Sequence, residues 1–92
     1  GMCFLKTFGF LENGVYPDRG CNLECYVQDW GAEIEDLSPL KLVQPGEMYE
    51  HKNRWYIFED VVCPNARDEG GIFAALQPVI ESVGLAMPAR KQ

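Results

Sequence analysis

A chain of 92 residues is at most one small domain, and such a domain buries only about 60 to 65% of the surface its unfolded form exposes, so the core must be thin. A formal charge of -6 and a pI near 4.6 repel phosphate backbones and anionic lipid surfaces, which sets nucleic acid and membrane partners aside and leaves a small neutral ligand as the better fit. With 47% hydrophobic and 24% charged residues the chain is not disordered, and it contains no run of about 18 apolar residues to span a membrane.

The N-terminal stretch lacks the basic-then-apolar order of a secretion signal, and Gly1 ahead of Met2 reads as a cloning remnant, so a cytoplasmic protein starting naturally at Met2 is expected. Met2 to Phe8 is apolar and aromatic apart from Lys6 and Thr7, which predicts a strand ended by Gly9. Between Leu11 and Gly20, Asn13-Gly14 and Pro17-Asp18 are turn signals, so this stretch reads as a loop. Within it Tyr16 either rims a pocket or packs over a sheet edge.

The chain is organised around Gly20 to Gln28. Cys21, Leu23, Cys25 and Val27 alternate with Asn22, Glu24, Tyr26 and Gln28, the period of two of a strand with one core face and one hydrogen-bonding face. Asp29-Trp30-Gly31 predicts a tight connection. Ala32 to Leu37 predicts a half-exposed strand whose outer face carries Glu33 and Glu35, a solvated pair rather than an acid-base couple.

Leu40 to Gln44 reads as a short strand and Gln44-Pro45-Gly46-Glu47 as a type II turn, which together predict a hairpin returning along a long strand from Met48 to Glu59. His51, the chain's single histidine, reads as an ordinary hydrogen-bonded side chain. Asp68 is placed to cap a helix whose apolar stripe is Ile72, Phe73, Leu76, Val79, Ile80 and Val83, with Pro78 expected to kink or split it and Gly84 to end it. Ala86 to Gln92 is expected to fray.

Cys3, Cys21, Cys25 and Cys63 include no CxxC pair and have one histidine for company, so neither a metal site nor any cofactor is called for. Cys21 and Cys25 lie roughly 13 Å apart along a strand, too far for a disulfide, and buried free thiols are expected. The fold class that follows is mainly β: an antiparallel sheet with one C-terminal helix in a single domain over 1–92.

Gly20-Cys21-Asn22-Leu23-Glu24-Cys25-Tyr26, a short acidic strand, and Leu37-Ser38-Pro39-Leu40 leading through Pro45-Gly46-Glu47 into Arg54-Trp55-Tyr56-Ile57-Phe58 resemble, in that order, the C-terminal part of the galactose mutarotase-like superfamily, closest to its DUF4380-type branch. The approach Tyr16-Pro17-Asp18-Arg19-Gly20 and Asp68-Glu69 before the helix are similar too, and the likeness covers about the first three quarters of the chain.

The resemblance implies an antiparallel β-supersandwich, here only part of one, and gives Glu24 the place of the general base that deprotonates the anomeric hydroxyl in aldose 1-epimerases. It also implies histidines, from an upstream part of the sandwich, that protonate the ring oxygen; this sequence has no such region and no second histidine. Acid-base ring opening needs both a donor and an acceptor.

The leading expectation is therefore a carbohydrate-binding module, not catalytic alone, with Asn22, Glu24, Tyr26 and Gln28 as its face and Tyr16, Arg19 and Trp30 at its rim. The alternatives are an epimerase acting through Glu24 once an oligomer or partner chain completes the site, and an assembly module without ligand. A partial sandwich leaves apolar faces and open edges, which predicts a homodimer.

Overall fold

The computed structural model describes residues 1–87. The chain is mainly β, with four antiparallel strands in two small sheets and one helix: β1 (Cys3–Phe8), β2 (Leu23–Gln28), β3 (Gly31–Asp36), β4 (Asn53–Phe58) and α1 (Glu69–Ser82). It divides into two compact units, one formed by Gly1–Lys6 with the chain from Trp55 onward, the other by Thr7–Arg54.

In the first unit β1 pairs with β4. Along β4 the period of two turns Tyr56 and Phe58 toward the half-buried side, where their rings stack at 6.4 Å, and leaves Trp55 and Ile57 exposed. Trp55 nonetheless meets Phe4 edge-to-face at 5.6 Å, a favoured aromatic geometry.

Helix α1 follows from its capping residues and its stripe. Asp68 Oδ1 accepts from the Gly71 amide at 3.0 Å, satisfying one of the amides a helix start leaves unpaired. At the other end Leu85 N–H donates to the Ile80 carbonyl and Gly84 N–H to that of Glu81, the paired bonds of a Schellman ending, and Gly84 supplies the positive φ of +82° that this ending requires. Ile72, Phe73, Leu76, Ile80 and Val83 are half-buried and Val79 is buried, while Ala74, Gln77 and Glu81 face solvent.

Of the kink or split expected at Pro78, the split does not occur: α1 runs unbroken through it. Proline removes one backbone donor near the C-terminal end, and the packed stripe on either side keeps the remaining turns in register.

In the second unit β2 and β3 form an antiparallel hairpin in which Glu24 opposes Glu35, Cys25 opposes Ile34, Tyr26 opposes Glu33 and Gln28 opposes Gly31, leaving Asp29 and Trp30 as a two-residue loop. The alternation read from the sequence is therefore realised. Its apolar face, however, is not core. Leu23, Cys25, Val27 and Ile34 are all exposed, Val27 to 73%.

The expected hairpin of Leu40–Gln44 with Met48–Glu59 does not form. Leu40 donates to the Val15 carbonyl at 2.7 Å, but Pro39 and Pro45, which carry no N–H, bracket the stretch and it stays irregular. The turn itself is present, with Glu47 N–H bonded to the Gln44 carbonyl and φ of +86° at Gly46. The return strand shortens to β4, whose partner is β1.

The thiols also differ from expectation: Cys3 is half-buried, and Cys21, Cys25 and Cys63 are exposed. Of the tail expected to fray, residues 88–92 lie outside the described residues. No helix among the described residues is long and apolar enough to cross a membrane.

Candidate functional site

The hairpin register brings Glu24, Tyr26 and Gln28 onto one face together with Glu33 and Glu35. Gln28 Nε2 donates to the Tyr26 hydroxyl, which fixes both side chains along the strand. The Glu24 carboxyl sits above its ordinary value of 4.5. A hydrogen bond with Asp18 and repulsion from the Asp18 charge are the main causes, followed by slight desolvation and by repulsion from Glu35 directly opposite. Asp18 reaches this position because the loop closes through Gly20 N–H to the Tyr16 carbonyl and Cys21 N–H to the Asp18 carbonyl, with Arg19 at a φ of +53° between them.

The remaining residues singled out by sequence are not among the side chains of that strand face. Asn22 precedes β2 and donates from Nδ2 to the Gly9 carbonyl at 3.3 Å. Trp30 is 72% exposed at the hairpin loop. Tyr16 packs inward, 7% exposed, stacked on Phe10 at 4.9 Å with its hydroxyl accepting from the Leu11 amide at 3.0 Å. This buried ring also lines a cleft of about 390 Å³.

That cleft is bounded by Phe10 and Tyr16 on one side and by Ser38, Tyr49 and His51 on others. Tyr49 is held by its hydroxyl donating to the Pro39 carbonyl at 3.1 Å, and Lys41 lies over its ring at 5.2 Å. His51 is held by Asp36: Nε2 stands 2.5 Å from Oδ2. The Asp36 side chain is only 4% exposed, and Asn53 Nδ2 donates to both its oxygens at 3.2 and 3.0 Å. A carboxylate so enclosed is tolerable because each oxygen has a donor.

Sequence reasoning missed the Asp36, Asn53 and His51 cluster, although one signal for it exists. In β3 the even positions Ala32 and Ile34 form the apolar face, and Asp36 falls on that same face, opposite Leu23. A carboxylate out of phase with its strand needs a partner from elsewhere in the fold, and Asn53 and His51 supply it.

Among the described residues no group of three His, Cys, Asp or Glu side chains is placed to hold a metal ion. Compared with protein-family models, curated proteins and solved structures, the chain matches none.

Proposed function

We propose that this chain is a carbohydrate-recognition module of mutarotase-like ancestry. The observation that carries the reading is the hairpin register, which sets Glu24, Tyr26 and Gln28 side by side on an exposed face with Glu33 and Glu35. Carboxylates and an amide accept from and donate to sugar hydroxyls, and a phenol ring offers a flat surface to a sugar's C–H face. Arg19 and Trp30 belong to the two turns that flank the strand and stand as its rim.

The epimerase alternative draws on a different observation. Asp18 stands beside Glu24 and holds its carboxyl above the ordinary value, so a second carboxyl adjoins the one acceptor the sequence offered. In that reading Glu24 takes the anomeric proton and the carboxyl pair returns one to the ring.

A second copy of the chain is the partner that suits the opposite face. Leu23, Cys25, Val27 and Ala32 are uncharged and exposed, whereas the Glu24 face repels its own copy, so of the two hairpin faces the apolar one suits apposition of two chains of charge -6. The three exposed thiols suit a reducing cytoplasm.

Light scattering coupled to a monosaccharide titration followed through Trp30 and Trp55 tests the reading. The expected result is a dimer whose fluorescence changes saturably with a sugar and loses that response in Glu24→Gln. A chain silent to every sugar overturns recognition and leaves the assembly module without ligand. Anomerisation above the uncatalysed rate, abolished by Glu24→Gln, is what the epimerase reading requires.

A further inference from the structure

We propose that the cleft walled by Tyr16, Tyr49 and His51 is a second small-molecule site, distinct from the Glu24 face, for one uncharged sugar ring or a polyol of that size. It rests on the carbohydrate reading above and adds to it a second place of binding.

Four observations point to it. First, about 390 Å³ falls within the roughly 300–1,000 Å³ typical of small-ligand clefts, at the end suited to a single ring. Second, its walls are flat and fixed. The Phe10–Tyr16 stack is anchored by the Leu11 amide, and Tyr49 has its hydroxyl engaged by the Pro39 carbonyl, so these residues bring ring rather than free hydroxyl to the lining. Such surfaces take the C–H face of a sugar.

Third, the polar group of the cleft is pre-oriented. Asp36, enclosed and doubly bonded by Asn53, holds Nε2 of His51, which leaves Nδ1 as the nitrogen for a ligand hydroxyl, and the cost of ordering the imidazole is met on folding rather than on binding. Ser38 adds a hydroxyl that both donates and accepts. Fourth, the Lys and Glu that line the cleft are of opposite sign, with Lys52 Nζ 3.4 Å from Glu50 Oε2, which favours an uncharged ligand over an ionic one.

His51 is the single histidine of the chain, so its imidazole nitrogens give one unambiguous signal set in a long-range 1H–15N spectrum. The intact protein is titrated with a panel of aldohexoses and with sorbitol. The expected result is a saturable shift of the His51 signals that persists in Glu24→Gln. Tyr49→Ala is expected to weaken it at least tenfold, and Tyr49→Phe, which keeps the ring, to remain within threefold of the parent.

His51→Gln, which retains a donor for Asp36, is followed by calorimetry and is also expected to lose at least tenfold in affinity. Dispersed amide spectra of each variant establish that it folds. Sugar binding that leaves His51 unmoved and disappears in Glu24→Gln overturns this site while leaving carbohydrate recognition intact. An absence of binding to the whole panel overturns both.

Discussion

The β2–β3 hairpin and helix α1 are each two-faced by sequence, yet they end in opposite states. The helix turns its stripe inward, with Val79 buried and its neighbours half-buried, and both ends are closed by local hydrogen bonds. The hairpin forms its ladder in full and leaves Leu23, Cys25 and Val27 in solvent. A periodic pattern thus specifies an element and the face it wants covered, but covering that face takes a partner, and Leu23 and Val27 stay exposed.

The comparison breaks most visibly at Val79. Val79→Asp places an unpaired carboxylate in a buried position and is expected to cost about 3 kcal/mol or more in urea unfolding. A loss under about 1 kcal/mol would mean that the stripe is no better covered than the hairpin.

The hairpin's one enclosed anchor ranks next. His51→Ala removes one of the groups that hold Asp36, for an expected loss of about 1.5–3 kcal/mol, whereas His51→Gln restores most of that. Asp68→Ala strips the cap from α1 and is expected to cost about 1 kcal/mol, read as a lower denaturant midpoint at constant slope.

Val27→Lys sharpens the comparison from the exposed side. On a face that nothing covers, the change alters the chain's own stability by less than about 0.5 kcal/mol, yet it removes self-association seen by sedimentation if two copies meet there. Unchanged sedimentation would assign the dimer, if one forms, to another surface.

The smallest effect is expected at Glu24. Because its carboxyl is raised above the ordinary value, the folded state holds that proton more tightly than the unfolded chain. The resulting stabilisation is present at acid pH and is lost as the pH rises through the raised value. Glu24→Gln keeps a neutral side chain throughout. The variant should therefore show a flatter dependence of melting temperature on pH from just below 4.5 toward neutrality, and a melting temperature at neutral pH no lower than the parent's. A steeper dependence would mean that Asp18 and Glu35 do not act on Glu24 as the geometry indicates.

Much of the fold was legible because its signals are local. The strand at Cys3–Phe8, the alternation through β2 and β3, the Pro45-Gly46 turn, the Asp68 cap and the Gly84 ending each depend on residues within a few positions of one another. Leu40–Gln44 misled for the converse reason. Its residues favour a strand, but a strand is completed by a neighbour, and between two prolines this stretch makes a single such bond, to Val15.

The candidate site divides the same way. Glu24, Tyr26 and Gln28 could be grouped in advance because a period of two puts them on one face. Asn22 could not be placed, since its tie to Gly9 crosses thirteen positions of chain. The Asp18 carboxyl beside Glu24 was equally out of reach, because it depends on how the Tyr16–Cys21 loop closes.

By itself, the sequence determined β1, the two-faced strands β2 and β3, and helix α1 with its cap and ending, because backbone hydrogen bonding and side-chain periodicity act over a few residues. Only the tertiary structure decided that β4 pairs with β1, that the hairpin's apolar face stays open, and that Asp36 meets His51 and Asn53 beside a cleft lined by Tyr16. Those outcomes depend on which distant segments close the chain on itself, and in a chain this short a few such contacts separate a covered face from an exposed one.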